Sequence, residues 1–105
     1  MATGFPYDRS GPDNNLDRFA RMAVLCHGVR RLGAACLDLA YVASGRFDAY
    51  WEMTLQTWDF AAGALLVEEA GGRVTAVSGE PLTLQTRAIL ATNKRLHQEL
   101  VAKLK

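Results

Sequence analysis

The stretch "QTWDFAAGALLVEEAGG", residues 56–72, decides the fold of this chain. The residues after Asp59 are apolar or small, which is typical of a helix that packs closely against another element. Gly71 and Gly72 end that helix, and "RVTAV" after them has the composition of a strand. The stretch therefore predicts a helix that leads directly into a strand, as in an α/β fold.

Asp59 is an acidic residue in the first turn of this predicted helix. An aspartate is common at such a position because the helix dipole favours negative charge there. A carboxylate that projects into a cleft to hold a cation would look the same in the sequence. The stretch by itself leaves both interpretations open.

The rest of the chain alternates between strand and helix patterns. We predict helices at Asp13–Leu25, Ala34–Ser44, Trp58–Ala70 and Asn93–Leu104. We predict strands at Val29–Leu32, Asp48–Glu52, Arg73–Val77 and Ala88–Ala91, preceded by the end of a strand in "ATGF". This order predicts one α/β domain over residues 1–105, with a layered mixed or mostly parallel sheet flanked by helices.

Composition narrows the class of protein. The 105 residues are 50% hydrophobic and 22% charged, as in an ordinary globular domain. A net charge of +1 gives no reason to expect nucleic acid or an acidic membrane as a partner. The chain has no long apolar run and no signal-peptide pattern, and Cys26 and Cys36 lie outside Cys-x-x-Cys spacing. We expect a cytoplasmic protein in which both cysteines are buried, reduced thiols.

The motif "TWDFAAGALLVEEAGGRVT" resembles the C-terminal signature of the inositol monophosphatase family. Four further segments resemble the family in the same order: "ATGFPYD", "DNNL", "GVRRLGAACLDLAYVASGRFDAYWE" and "ILATN". Together they span the chain from Ala2 to Asn93. The resemblance implies the C-terminal domain of an inositol-monophosphatase-like fold.

The same resemblance implies an enzymatic function. Members of this family are magnesium-dependent, lithium-sensitive phosphomonoesterases that form dimers and act on inositol monophosphate or a related phosphorylated polyol or sugar. Their N-terminal half carries a Glu-Glu pair and an Asp-Pro-x-Asp-Gly-Thr segment, which supply most of the metal ligands. This chain has no Asp-Gly, and its one Glu-Glu, Glu68-Glu69, lies late in a helix. We therefore expect Mg²⁺ to be shared with an N-terminal half, no complete catalytic set here, and no activity from this chain alone.

The resemblance assigns roles to two acidic residues. It makes Asp59 a magnesium ligand, in agreement with the preference of Mg²⁺ for carboxylate oxygens. It makes Glu52 a binder of substrate hydroxyls, and an acid in the aromatic strand "AYWEM" needs such an explanation because buried carboxylates need partners. The alternatives are a helix-start aspartate without a ligand and an exposed glutamate at a strand end.

Further substrate contacts are expected at the corner formed by Gly33, Ala34 and Ala35, where backbone N–H groups at a helix start can face a polyol or phosphate. Family members commonly carry Ser or Thr at the position of Ala34, so a hydroxyl contact is missing here. A tight structural turn is the alternative. Gln56 is a weaker candidate for the rim of the pocket. Because Asp59, Glu52 and Gly33 lie on elements of one sheet layer, we expect them to face a common cleft at one end of the sheet.

Other conspicuous residues are interpreted structurally. Trp58 is predicted to be a core aromatic, and the small residues 61–64 are predicted to allow close packing of their helix. Arg30 and Arg31 could reach a phosphate or a partner chain, and the favoured interpretation is that they are solvated surface residues. His27 and His97 have no ligand set at zinc spacing.

A second hypothesis treats the chain as a non-catalytic α/β module for interaction or dimerisation. Exposed apolar surface tends to find partners, and we expect self-association on that ground. The two hypotheses differ in what the upstream coding sequence should contain. In-frame Glu-Glu and Asp-Pro-x-Asp-Gly-Thr segments favour the enzyme, and their absence favours the module.

Overall fold

The computed structural model describes residues 1–105 and contains a sheet with helices on both faces. The strands are β1 (Ala2–Thr3), β2 (Ala49–Glu52), β3 (Arg73–Ala76) and β4 (Ile89–Thr92). The helices are α1 (Leu16–Leu25), α2 (Ala35–Ala43), α3 (Thr57–Glu69) and α4 (His97–Lys103).

The four strands form one mixed sheet in the order β1-β2-β4-β3. β1 runs parallel to β2, whereas β4 is antiparallel to both of its neighbours. In the centre of the sheet Tyr50 is opposite Ala91 and Trp51 is opposite Leu90. The predicted α/β class, with a mixed sheet flanked by helices, is confirmed.

The two faces of the sheet carry separate apolar cores because neighbouring residues of a strand point to opposite faces. Tyr50 belongs to the core beneath α2 and α3, together with Leu39, Phe60 and Val67. Trp51 belongs to the core beneath α1 and α4, whose members include Met22, Leu90, Leu100 and Leu104. Adjacent aromatic residues of β2 thus anchor both helix layers.

Helices α2 and α3 pack closely at Gly63. A Cβ added at Gly63 would lie 2.6 Å from the Cβ of Leu39. Gly63 and Ala64 are buried, so the predicted reason for small residues holds for them. It is wrong for Ala61 and Ala62, which are exposed.

Five predicted elements agree with the structure to within one residue at each end, and three do not. The strand predicted at Val29–Leu32 is wrong: only Arg30 pairs with Ala2, in an isolated bridge. Arg30 N–H donates to the carbonyl of Met1 at 2.8 Å, and Thr3 N–H donates to the carbonyl of Arg30 at 2.9 Å. The neighbouring strand β1 offers only two residues for pairing, and the chain turns towards α2 at Gly33, which has a left-handed φ of 83°.

Two predicted helices begin later than expected because a residue with a left-handed conformation precedes each of them. α1 begins at Leu16 and not at Asp13, because Asn15 has a left-handed φ of 68°. α4 begins at His97 and not at Asn93, because Lys94 has a left-handed φ of 82°. A left-handed residue cannot continue a right-handed helix.

The side chain of Asn15 is buried and connects three parts of the chain. Its Nδ2 donates to Thr3 Oγ1 at 2.9 Å and to the carbonyl of Gly4 at 2.8 Å. Its Oδ1 accepts a hydrogen bond from Trp51 Nε1 at 2.8 Å. The network is completed by Thr3 Oγ1, which donates to the carbonyl of Trp51 at 2.7 Å.

Three surface features differ from the predictions. Trp58 is 81% exposed, so its assignment to the core is wrong. Cys26 and Cys36 are free thiols as predicted, but Cys26 is only half-buried and Cys36 is exposed. A separate finding concerns membranes: no helix has both the length and the apolar character needed to cross one.

We predict that Asn15→Gly destabilises the chain by about 3 kcal/mol, because it leaves the Trp51 N–H, the Thr3 hydroxyl and the Gly4 carbonyl without their buried partner. Glycine can adopt the left-handed conformation of Asn15, so the loss of stability is due to the missing side-chain amide and not to backbone strain. Urea unfolding measures it. The control Asn14→Gly removes only exposed hydrogen bonds and should cost less than about 1 kcal/mol. Equal losses for the two variants would contradict the prediction.

Candidate functional site

A cleft of about 400 Å³ lies at the end of the sheet where the parallel strands β1 and β2 both finish. Glu52 is the last residue of β2, and Gly4 follows β1 directly. The cleft is also lined by the start of α3, through Asp59, and by the chain that enters α2, through Gly33 and Ala35. The carboxyl ends of strands are the usual ligand-binding edge of an α/β sheet.

The prediction that Asp59, Glu52 and Gly33 share a cleft is confirmed by this geometry, and Ala35 lies with them. Two other candidates are not among the lining residues. Gln56 immediately precedes α3 in an extended conformation, and its side chain is exposed. Ala34 holds the corresponding extended position before α2. The functional roles of all these residues remain predictions.

Asp59 caps a helix and also lines the cleft. Its Oδ2 accepts a hydrogen bond from the backbone N–H of Gln56 at 2.7 Å, so it caps the start of α3. The same half-buried side chain lines the cleft. The capping bond restricts the carboxylate to one orientation and uses only one of its two oxygens.

Glu52 is held by Tyr50, two residues earlier on the same strand. The Tyr50 hydroxyl donates to Glu52 Oε1 at 2.8 Å. Burial raises the pKa of Glu52, and the Asp59 carboxylate raises it further, whereas the Tyr50 hydrogen bond and Arg31 lower it. Burial, the Glu52 carboxylate and their hydrogen bond raise the pKa of Tyr50 as well, so this hydroxyl remains a donor at neutral pH.

Asp38 is a buried acid near this cleft that the sequence-based assignment missed. It lies on α2 with 1% of its surface exposed, and its Oδ1 has no hydrogen-bond partner. Burial, and secondarily the Glu52 carboxylate, raises the pKa of Asp38 from 3.8 to about 7. The sequence did contain an indication of this buried acid, since Asp38 is the one charged residue in the apolar helix "AACLDLAYVA".

Arg31 is the one basic side chain among the residues that line the cleft. Arg31 is exposed, as expected for a solvated surface residue, and it also borders the site, which agrees with the alternative that it reaches a phosphate. Its guanidinium can approach an anion in the cleft. The site therefore combines two carboxylates, one cation and the backbone corner at Gly33.

The oxygen donors of the cleft suit Mg²⁺ chemically, since this ion prefers carboxylate oxygens and water. Asp59 offers one such oxygen in a fixed orientation. No group of three or more His, Cys, Asp or Glu side chains in the chain is arranged to hold a metal ion. The carboxylate of Asp59 is thus an oxygen donor of the kind that this ion prefers.

Comparison with known proteins places this fold and cleft in context. The sequence profile of the inositol monophosphatase family matches residues 2–105. An inositol-1-monophosphatase from Synechocystis sp. is 52% identical over 101 residues, which cover 95% of this chain and 35% of that protein. Nus factor SuhB from Pseudomonas aeruginosa is 46% identical over 104 residues, which cover 96% of this chain and 38% of that protein.

The solved structures agree with the sequence comparison. Inositol monophosphatase from Anabaena (Nostoc) sp. superimposes with a TM-score of 0.95 at 51% identity, over 99% of this chain and 43% of that one. SuhB from Bartonella henselae superimposes with a TM-score of 0.89 at 42% identity, over 99% of this chain and 40% of that one. The chain therefore spans less than half the length of these relatives.

We predict that Asp38→Asn alters the pH dependence of stability. The native carboxyl has a raised pKa of about 7, so the folded state binds a proton that the unfolded state releases near its ordinary value of 3.8. Stability should therefore fall as pH rises from about 4 to 7, by at most about 4 kcal/mol. The asparagine variant lacks this fall.

Urea unfolding at a series of pH values measures the effect. Parent and variant should be similar near pH 4, and the variant should become the more stable of the two towards pH 8. The control Asp48→Asn, at an exposed position, should follow the parent. Parallel curves for Asp38→Asn and its parent would contradict the raised pKa.

Proposed function

Because this chain belongs to the inositol monophosphatase family, we propose that it forms the C-terminal part of a magnesium-dependent phosphomonoesterase. Its substrate would be inositol monophosphate or a related small phosphorylated polyol or sugar. The observation that carries this proposal is the convergence of Asp59 and Glu52 on one cleft at the carboxyl ends of β1 and β2.

Asp59 is the residue that supplies a metal ligand in this proposal. Its capping hydrogen bond to Gln56 N–H holds the carboxylate still, so little ordering is needed when a cation binds. Bound Mg²⁺ would supply the activation of a water molecule and the neutralisation of phosphoryl oxygens. Asp59 provides one contact to the ion, and the remaining protein ligands come from outside residues 1–105.

Glu52 and the α2 corner would bind the substrate. With Oε1 held by Tyr50, the Glu52 carboxylate is an acceptor of fixed position for polyol hydroxyls. Gly33 and Ala35 bring the start of α2 to the cleft, where backbone N–H groups can meet a polyol or phosphate. Ala34 offers no hydroxyl, so contacts at this corner are limited to the backbone. Arg31 adds a positive charge that would attract the anionic substrate.

The chain alone is proposed to be inactive. It spans 35% and 38% of the lengths of its Synechocystis and Pseudomonas relatives, and it offers one metal-ligating carboxylate. Without the other ligands, neither water activation nor charge neutralisation is organised. Each contributes several kcal/mol to lowering the barrier, so the rate should fall by more than about four orders of magnitude. The proposed partner is the N-terminal half of such an enzyme.

We propose three further properties for this chain by analogy with the family. They are a cytoplasmic location, inhibition of the assembled enzyme by lithium, and assembly into a dimer. Self-association is supported by apolar surface on α3, where Trp58 is 81% exposed, Leu65 58% and Leu66 52%.

A non-catalytic interaction module is the second candidate function. It is favoured by that exposed apolar surface of α3 and by the similarity to a protein named Nus factor SuhB. The coding sequence upstream distinguishes the two candidates. In-frame Glu-Glu and Asp-Pro-x-Asp-Gly-Thr segments would support the enzyme.

We predict no magnesium-dependent turnover of inositol monophosphate by purified 1–105. Mixing it with the separately expressed N-terminal half of the Synechocystis relative should restore part of the activity, because the missing metal ligands are then supplied. Phosphate release in millimolar Mg²⁺ measures both. Turnover by 1–105 alone would refute the proposal that the chain holds only part of the site.

Asp59→Asn should abolish the restored activity. Asparagine can still accept the capping hydrogen bond, so a loss of activity would be due to the missing carboxylate ligand and not to a disrupted helix start. The exposed Asp17→Asn is the control, and it should keep the restored activity. Equal activity of the Asp59→Asn and Asp17→Asn mixtures would show that Asp59 is not a metal ligand.

A further inference from the structure

Gly4 and Glu52 lie so close together that a side chain at position 4 would displace the Glu52 side chain. A Cβ added at Gly4 would lie 2.5 Å from Glu52 Cδ and 3.2 Å from Glu52 Cγ, and closer still to Oε1. The distances to Cδ and Oε1 are shorter than real Cβ contacts in proteins, and the distance to Cγ is tighter than most of them. The carboxylate of Glu52 thus occupies the space that any other side chain at position 4 would fill.

The requirement for glycine here concerns space and not backbone conformation. Gly33, Gly45, Gly71 and Gly79 have positive φ, and Gly4 does not. An alanine could adopt the backbone of Gly4 without strain. However, the alanine Cβ would overlap the Glu52 side chain in its present position.

Two hydrogen bonds fix the parts that meet at this contact. Asn15 Nδ2 donates to the carbonyl of Gly4 at 2.8 Å, which holds the backbone after β1. The buried Tyr50 donates its hydroxyl to Glu52 Oε1 at 2.8 Å, which holds the carboxylate. An added methyl group would therefore move the Glu52 side chain at the expense of its hydrogen bond with Tyr50.

We propose that Gly4 is a positioning residue that sets the location of the Glu52 carboxylate in the cleft. Its bare backbone lets the carboxylate lie beside β1 and reach the Tyr50 hydroxyl. A side chain at position 4 displaces the carboxylate towards the open part of the cleft. The consequence for substrate hydroxyls rests on the proposed function, whereas the position of the carboxylate does not.

A double-mutant cycle on the 1–105 chain tests the contact without any substrate. Gly4→Ala should lower the midpoint of urea unfolding by about 1 M, because it overpacks the contact. In a Glu52→Ala background the same change should shift the midpoint little, since the clashing group is gone. The control is Gly11→Ala, because a Cβ at Gly11 would meet nothing within 4 Å.

The cycle also remains decisive if Gly4→Ala alone does not fold. The pair Gly4→Ala with Glu52→Ala must then fold, because the pair removes the clash. An equal loss from Gly4→Ala in both backgrounds, or no loss in either, would overturn the proposal. So would failure of the pair to fold when Glu52→Ala alone folds.

Shortening the acid provides a specific rescue. Glu52→Asp withdraws the carboxylate by one methylene, so it should recover most of the stability lost in Gly4→Ala. The Tyr50 hydroxyl proton, followed by NMR, should lose its hydrogen-bonded shift in Gly4→Ala and keep it in Gly11→Ala. An unchanged Tyr50 signal in Gly4→Ala would show that the carboxylate has not moved and would overturn the proposal.

In the chain mixed with an N-terminal half, Gly4→Ala should raise KM for inositol monophosphate about tenfold or more, with a smaller effect on kcat. An unchanged KM would overturn the substrate consequence. If the mixture has no activity with any variant, the proposed function fails, and the unfolding cycle and the Tyr50 signal still test the positioning by Gly4.

Discussion

The buried amide of Asn15 is the interaction on which the arrangement of the cleft depends. β1 has only two residues, which pair with β2 on one side and meet Arg30 in a single bridge on the other, so side-chain hydrogen bonds are needed to fix its position. Asn15 uses both ends of its side-chain amide to bind Thr3, Gly4 and Trp51. Because an unpaired buried polar group is costly, loss of any of these bonds should destabilise the arrangement.

The hydrogen bonds of Asn15 also affect the position of Glu52 at the end of β2. Asn15 fixes the carbonyl of Gly4, Gly4 leaves room for Glu52, and Tyr50 holds the Glu52 carboxylate from the other side. Asp38 lies behind them without a partner for its Oδ1. Buried acids so placed lower stability at neutral pH, and such an arrangement is typical of functional sites.

Close packing of α2 against α3 brings the remaining parts of the cleft together. The approach of Leu39 to Gly63 allows the two helices to lie side by side over the Tyr50 face of the sheet. Their first turns then place Ala35 and Asp59 at the same edge. In the inositol monophosphatase family this edge belongs to a larger protein, of which the chain matches less than half in the relatives compared. The proposed function assigns the remaining metal ligands to the part of such a protein that this chain does not match.

The sequence by itself determined the α/β class, the family and most helices and strands, because hydrophobic periodicity and glycine positions are local properties. It also brought Asp59, Glu52 and Gly33 to one cleft, since each stands at the end of a predictable element. Only the tertiary structure decided the exposure of Trp58 and the reduction of the strand at 29–32 to one bridge. The same holds for the burial of Asp38 and the contact between Gly4 and Glu52. These features depend on neighbours that are far away in the chain, and no local pattern specifies which distant residues will pack together.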